Sequence, residues 1–207
     1  MLKPRDHHAV DRVGMVRVAR HFSNVVSPPV MFAVLGLTLA LHVLPVLPAL
    51  LWAAVYGFFV SLAPILFVLY LLRTGRIAEL HMSDTRERHL PYLVAALGSL
   101  VVAALLLLFG GPELLLCLTF FNLVTLVVIG LLNIRWLISF HAAAAMAMDT
   151  IVALVFGWLA ALAVAPLVGL VIAVRLYLRR HTVGQIIAGL LLGAGSVLLL
   201  WQLGCFA

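Results

Sequence analysis

Arg175, His181 and Gln185 have the residue types and spacing to act on one anion. They lie in the run Val174-Arg-Leu-Tyr-Leu-Arg-Arg-His-Thr-Val-Gly-Gln185, between two long apolar stretches. A guanidinium grips a phosphate through parallel N–H bonds. A neutral imidazole can attack the phosphorus, and a hydrogen-bonding side chain four residues further on can orient the ring. A second histidine, His141, follows another apolar stretch in Ile138-Ser-Phe-His141.

A third polar cluster, residues 76–89, holds His81, Asp84, Arg86, Glu87 and Arg88. Arg86 and Arg88 read as anion clamps. Asp84 reads as a carboxylate that a folded-over loop would bring beside His181. A salt-bridged loop whose arginines meet headgroups accounts for the same residues without chemistry. Asp149 lies within an apolar run, where a carboxylate is costly; it reads either as a supporting site residue or as an internal hydrogen-bond partner. His7, His8, His21 and His42 read as structural or interfacial. No ligand cluster suggests a metal, and no other cofactor is expected.

The elements that must position these residues are apolar helices. The 207-residue chain is 66% hydrophobic and 10% charged, so lipid rather than water must surround most of it. Several runs approach or reach the roughly 20 residues that cross about 30 Å of hydrocarbon. They lack the period-two alternation of a barrel, which leaves helices. The sequence predicts an all-α, polytopic membrane helix bundle of about six or seven transmembrane helices. The expected spans are 29–44, 49–72, 90–109, 114–132, 141–164, 167–178 and 183–203. Pro45 and Pro48 make one reversal, Gly110-Gly111-Pro112-Glu113 a second, and Ala165-Pro166 a third. Gly189 and Gly193, with the smooth stretch Ala142 to Ala145, allow close helix approach and read as packing within one copy of the chain.

Residues 1–24 form a separate basic segment with no uninterrupted apolar core, unlike a signal peptide. A short interfacial helix or a disordered tail is expected there, with Met15, Val16 and Val18 dipping into the interface. Residues 25–207 form the integral membrane domain. Cys117 and Cys205 give no support for a disulfide framework. With seven crossings, all 13 lysines and arginines fall in or beside segments on one side. The positive-inside rule makes that side cytoplasmic, with the N-terminus and the polar clusters facing in from a plasma or inner membrane. The net charge of +6 is thus a matter of membrane orientation, and no nucleic-acid partner is expected.

The three clusters together resemble the type-2 phosphatidic acid phosphatase superfamily. That family's third motif is Ser-Arg, five residues, His, three residues, Asp; Val174-Arg175, His181 and Gln185 keep the spacing. Its second motif, Pro-Ser-Gly-His, is similar to Ile138-Ser139-Phe140-His141. Its first, a lysine, six residues and Arg-Pro, is similar to His81, six residues and Arg88-His89, with Pro91 displaced. The resemblance covers about residues 76–193. It implies a metal-free phosphohistidine mechanism on a lipid phosphate, of isoprenoid or glycerolipid type. His181 would be the nucleophile and His141, protonated, the acid, with Arg175 and Arg88 on the non-bridging oxygens and the backbone around Ser139 and Phe140 adding N–H donors at the start of the next helix. The sequence departs from the family at Gln185, Phe140 and His81, in place of aspartate, glycine and lysine. The alternative implied is a family member that binds or moves a phosphorylated lipid without hydrolysing it. Oligomeric state is left open.

Overall fold

The computed structural model describes residues 4–6, 11–77 and 86–206. Its helices are α1 (Gly14–Val25), α2 (Pro28–Val43), α3 (Val46–Gly57), α4 (Ala63–Arg73), α5 (His89–Phe109), α6 (Glu113–Leu132), α7 (Phe140–Phe156), α8 (Trp158–Tyr177) and α9 (Val183–Gln202). No strand occurs among the described residues. Five helical stretches are long and apolar enough to cross a membrane, and a sixth is counted if α1 and α2, bent by 46°, form one span. Seventeen-residue α7 is apolar but shorter. This is the expected polytopic bundle. Outward-facing Leu97, Leu108, Leu159 and Leu191 present hydrocarbon to lipid.

Two boundaries differ from the sequence expectation. Helix α7 stops at Phe156, not near 164, because Gly157 turns the chain at φ +89°, a conformation costly for any residue with a Cβ. Pro166 lies inside α8 rather than in a turn. Proline lacks only one ladder donor, and a transmembrane bundle tolerates that loss when neighbours re-satisfy the freed carbonyl. Helices α3 and α4 are joined through one π-helical turn, Phe58–Leu62, immediately before Pro64. A wide turn at that point suits a residue that cannot donate to the carbonyl four positions back.

The bundle's tightest seam is α7 against α9, which run parallel with α8 returning between them. A Cβ on Gly189 would press on the Ser139 carbonyl, and one on Gly193 would overlap the Ala143 carbonyl oxygen. The small residues therefore serve packing within the chain, as expected. Ser139 N–H also donates to the Gln185 carbonyl at 3.2 Å, which sets the heights of the two helix starts.

Cys117 and Cys205 are joined by a disulfide, with Cα atoms 5.5 Å apart, contrary to the sequence reading. The pairing links the first turns of α6 to the tail of α9, a proximity that depends on how the helices stack. Both cysteines lie at the end of the bundle away from His141 and His181.

Gly193→Val is expected to destabilise the bundle by about 1–3 kcal/mol, the usual range for overpacking, because the obstacle is backbone. Thermal unfolding in detergent measures this. An unchanged midpoint would mean that α7 and α9 are not held this closely.

Candidate functional site

The segment entering α7 is fixed first. Asn133, at the end of α6, accepts the Ile138 N–H on its Oδ1 at 2.7 Å and donates through Nδ2 to the Tyr92 hydroxyl of α5 at 3.1 Å. Ser139 then caps α7, its Oγ accepting the Ala142 N–H at 3.4 Å. His141 follows in the first turn, and its Nε2 lies 3.1 Å from the backbone carbonyl of Ser23 in α1. A carbonyl only accepts, so Nε2 carries a proton.

The second histidine is fixed by the start of α9. Thr182 and Gln185 form a reciprocal capping box: Gln185 Oε1 accepts the Thr182 N–H at 2.9 Å, and Thr182 Oγ1 accepts the Gln185 N–H at 3.4 Å. His181 sits just before the cap and is 6% exposed. Its Nδ1 is 3.3 Å from the Leu137 carbonyl and its Nε2 is 3.2 Å from Arg175 Nη2. Arginine can only donate and a carbonyl can only accept. The network therefore assigns the proton to Nδ1 and leaves a lone pair on Nε2. Burial pushes the His181 pKa well below its ordinary value of 6.5, helped by the positive charges of Arg175 and Arg88 and opposed by the Leu137 carbonyl and Gln185. The ring is neutral, and its Nε2 electron pair accepts from Arg175 Nη2.

Arg175, 3% exposed near the end of α8, reaches His181 with Nη2 and donates from Nη1 to Ser23 Oγ at 2.9 Å. Its Nε is buried without a hydrogen-bond partner. A buried charge held only by a hydroxyl and a neutral ring is short of counter-charge.

These groups share one cavity of about 260 Å³. Ser23, Arg88, His141, Arg175 and His181 form its polar end. Pro29, Ile65, Val68, Ala95, Leu126 and Phe140 belong to its apolar wall. Helices α2, α5, α7 and α9 all begin at this end, so their positive dipole ends point toward it.

Of the residues expected from sequence, the structure brings His141, His181, Arg175, Arg88 and Phe140 to this cavity, with Ser139 and Gln185 directly behind it as helix caps. Phe140 contributes its ring to the wall, edge-on to Tyr92 at 6.0 Å between centroids. Asp149 does not line the cavity. It lies eight residues along α7 from His141, about 12 Å by helical rise, with Oδ1 buried and unpartnered. His81 and Asp84 fall outside the described residues, as does the side chain of Arg86. No group of three potential metal ligands occurs among the described residues.

Sequence reading missed Ser23, the Leu137 carbonyl and the Asn133–Tyr92 link. Within the basic segment, for which a short interfacial helix or a disordered tail is expected, α1 is a helix that docks on α8: Val16 packs against Ala19, Val174 and Leu178, while Met15 and Val18 remain exposed. The periodic spacing of Val16, Ala19 and Ser23 was the available signal. Comparisons with known protein families, curated proteins and solved structures find no match.

Because His181 binds its proton more weakly folded than unfolded, the unfolded chain takes up more protons as pH falls below about 6.5. Its contribution to stability is therefore full above that value and is lost as pH drops toward the depressed folded value. ¹⁵N NMR of the histidine rings is expected to show His181 neutral, with the proton on Nδ1, at pH 6.5. A protonated ring there would contradict the assigned network.

Proposed function

We propose that this protein is a lipid phosphatase of the phosphohistidine type, acting at the membrane interface. The reading rests on the buried Arg175, whose Nε has no partner and whose neighbour is the neutral, lone-pair-bearing Nε2 of His181. A phosphate placed there would supply the missing counter-charge and meet the nucleophile at once. The apolar wall suits the first carbons of a lipid tail, whether isoprenoid or glycerolipid. The resemblance drawn from the sequence motifs points to the same chemistry.

In the reaction, His181 Nε2 attacks phosphorus and the bond to the lipid oxygen breaks. His141, as the imidazolium, gives a ring proton to that oxygen and becomes neutral, releasing the lipid alcohol. Water then attacks the phosphohistidine, with His141 as base, and inorganic phosphate leaves. Arg175 and Arg88 hold the non-bridging oxygens in each step, which is where charge accumulates. The protein's own residues suffice for this chemistry.

One observation favours a second reading, in which the protein binds a phosphorylated lipid without turnover. Gln185 is engaged in the capping box and carries no charge to offset a cationic ring. An analogous carboxylate-to-amide change in serine-protease triads costs about 10⁴ in rate.

The site end is proposed to face the cytoplasm from a plasma or inner membrane. The arginines support this by the positive-inside rule. The Cys117–Cys205 bridge supports it independently, because disulfides persist in oxidising compartments and this one lies at the opposite end.

Purified protein is expected to release phosphate from a lipid phosphate, with His181→Ala abolishing release and Arg175→Lys lowering kcat/KM about 100-fold, as for loss of a charge-stabilising donor. Undiminished release by His181→Ala would exclude it as nucleophile. If the parent is silent and Gln185→Asp gains hydrolysis, the binding-only reading holds. For orientation, a membrane-impermeant thiol reagent on intact cells is expected to label Leu47→Cys, exposed at the far end, and to spare Ile134→Cys at the site end. The reverse pattern inverts the topology.

A further inference from the structure

The N-terminal segment is tied to the site through a fully buried carboxylate. Asp6 is 0% exposed and bridges two arginines, its Oδ2 2.8 Å from Arg20 Nη1 of α1 and its Oδ1 2.8 Å from Arg180 Nε, beside His181. Arg12 Nε and Arg20 Nη1 also donate to the Asp6 backbone carbonyl, at 3.1 and 3.2 Å. Arg5 N–H donates to the Leu178 carbonyl at 3.1 Å, and its guanidinium lies 4.7 Å from the centroid of the Tyr177 ring. The Asp6–Arg180 pair and the two Arg5 contacts join the N-terminal segment to the end of α8 and the connection that carries His181, while the Arg12 and Arg20 bonds tie Asp6 to α1 and its approach.

What this clasp delivers to the cavity is Ser23. One residue touches both working ends of the site: its hydroxyl accepts from Arg175 and its carbonyl accepts from His141. The two acceptors differ in consequence. The hydroxyl, with His181, fixes the plane of the Arg175 guanidinium while leaving the Nε–H available, so Ser23 does not use up the edge that would grip an anion. The hydroxyl proton is itself available to a phosphate oxygen. The carbonyl accepts the proton on His141 Nε2, which fixes the ring's orientation and is compatible with the imidazolium that a general acid requires. Ser23 is 2% exposed, so these bonds are made away from bulk water.

We infer that Ser23 is a positioning residue of the phosphate site, holding Arg175 and the acid His141 in register, and that the Arg20–Asp6–Arg180 clasp is the device that keeps it there. This inference rests on the phosphate-site reading proposed above. Polar grips of this kind matter because a displacement of about 1 Å at the reacting groups can cost 100-fold in rate.

The test uses the full chain in mixed detergent–lipid micelles, with two readouts: affinity for inorganic phosphate, and kcat and KM for phosphatidic acid. Ser23→Ala and Asp6→Asn are each expected to weaken phosphate binding and lower kcat by roughly tenfold or more, with thermal midpoints near the parent's. Ser23→Thr, which keeps the hydroxyl, is expected to restore most of both. Arg17→Gln, on the exposed side of α1, is expected to change neither and so controls for a polar substitution on the same segment away from the site. Parent-like binding and turnover in Ser23→Ala and Asp6→Asn would overturn the inference. So would a gain in either, because Ser23 would then be obstructing the site. A drop that tracks a collapsed thermal midpoint and is not rescued by Ser23→Thr would also overturn it, leaving a structural role only. If the parent binds phosphate but hydrolyses no lipid phosphate, the hydrolytic reading fails while the binding measurements still decide the role of Ser23. A parent that binds no phosphate removes both.

Discussion

Two parallel helices whose backbones nearly touch hold the candidate site together. Helices α7 and α9 meet where Gly189 and Gly193 present no side chain to the Ser139 and Ala143 carbonyls. In lipid, apolar side chains gain little by meeting one another, so close van der Waals contact between backbones and short polar links must supply the association. The Ser139 N–H to Gln185 carbonyl bond then fixes the register of the two helix starts. His141 and His181 each stand within a few residues of that bond. Their convergence on one cavity follows from this seam.

The same geometry creates an electrostatic problem. Several helix starts point their positive ends at one cavity, and Arg88, Arg175 and Arg180 are all largely buried around it. Like charges in a poorly hydrated site repel, and burial raises the cost. Two features reduce it. His181 is held neutral by its surroundings, so it adds no charge. Asp6 offsets Arg180 and Arg20 through hydrogen-bonded ion pairs. Neither feature satisfies Arg175 Nε. The unsatisfied donor belongs to the same guanidinium whose Nη2 contacts His181, so the residual deficit of negative charge lies beside that ring, where an anion would be most stabilised.

The fold class was legible because hydropathy reports directly on the solvent around a helix. The co-facing arrangement of the polar clusters was legible too, since each interrupts an apolar run at a countable crossing. What failed required knowledge of neighbours. Pro166 has the local character of a stop, yet it is carried inside α8, while Gly157, unremarkable in an apolar run, supplies the turn. Cys117 and Cys205 are separated by 88 residues, and only helix stacking brings them together. Ser23 carries no chemical signature of its own. Its place in the site depends on a carboxylate 17 residues earlier reaching an arginine 174 residues away from that carboxylate. Gln185 was legible as a departure from an aspartate, but its capping role depends on Thr182 and on the exact start of α9.

The departure at Gln185 bears differently on the two halves of the proposed phosphohistidine cycle. An aspartate on the ring would raise its basicity and offset its positive charge once phosphorylated. In this site, burial and two arginines already keep the free ring deprotonated, so forming a competent nucleophile needs no carboxylate. The Leu137 carbonyl supplies the directional half of the aspartate's role by holding Nδ1–H. What remains missing is counter-charge for the phosphorylated ring. The phosphoryl group brings negative charge of its own, but Arg175 and Arg88 draw on that charge too. The burden therefore falls on the lifetime of the intermediate rather than on its formation, and it separates a slow phosphatase from a phosphate-binding protein by energetics alone, with the same residues in the same places.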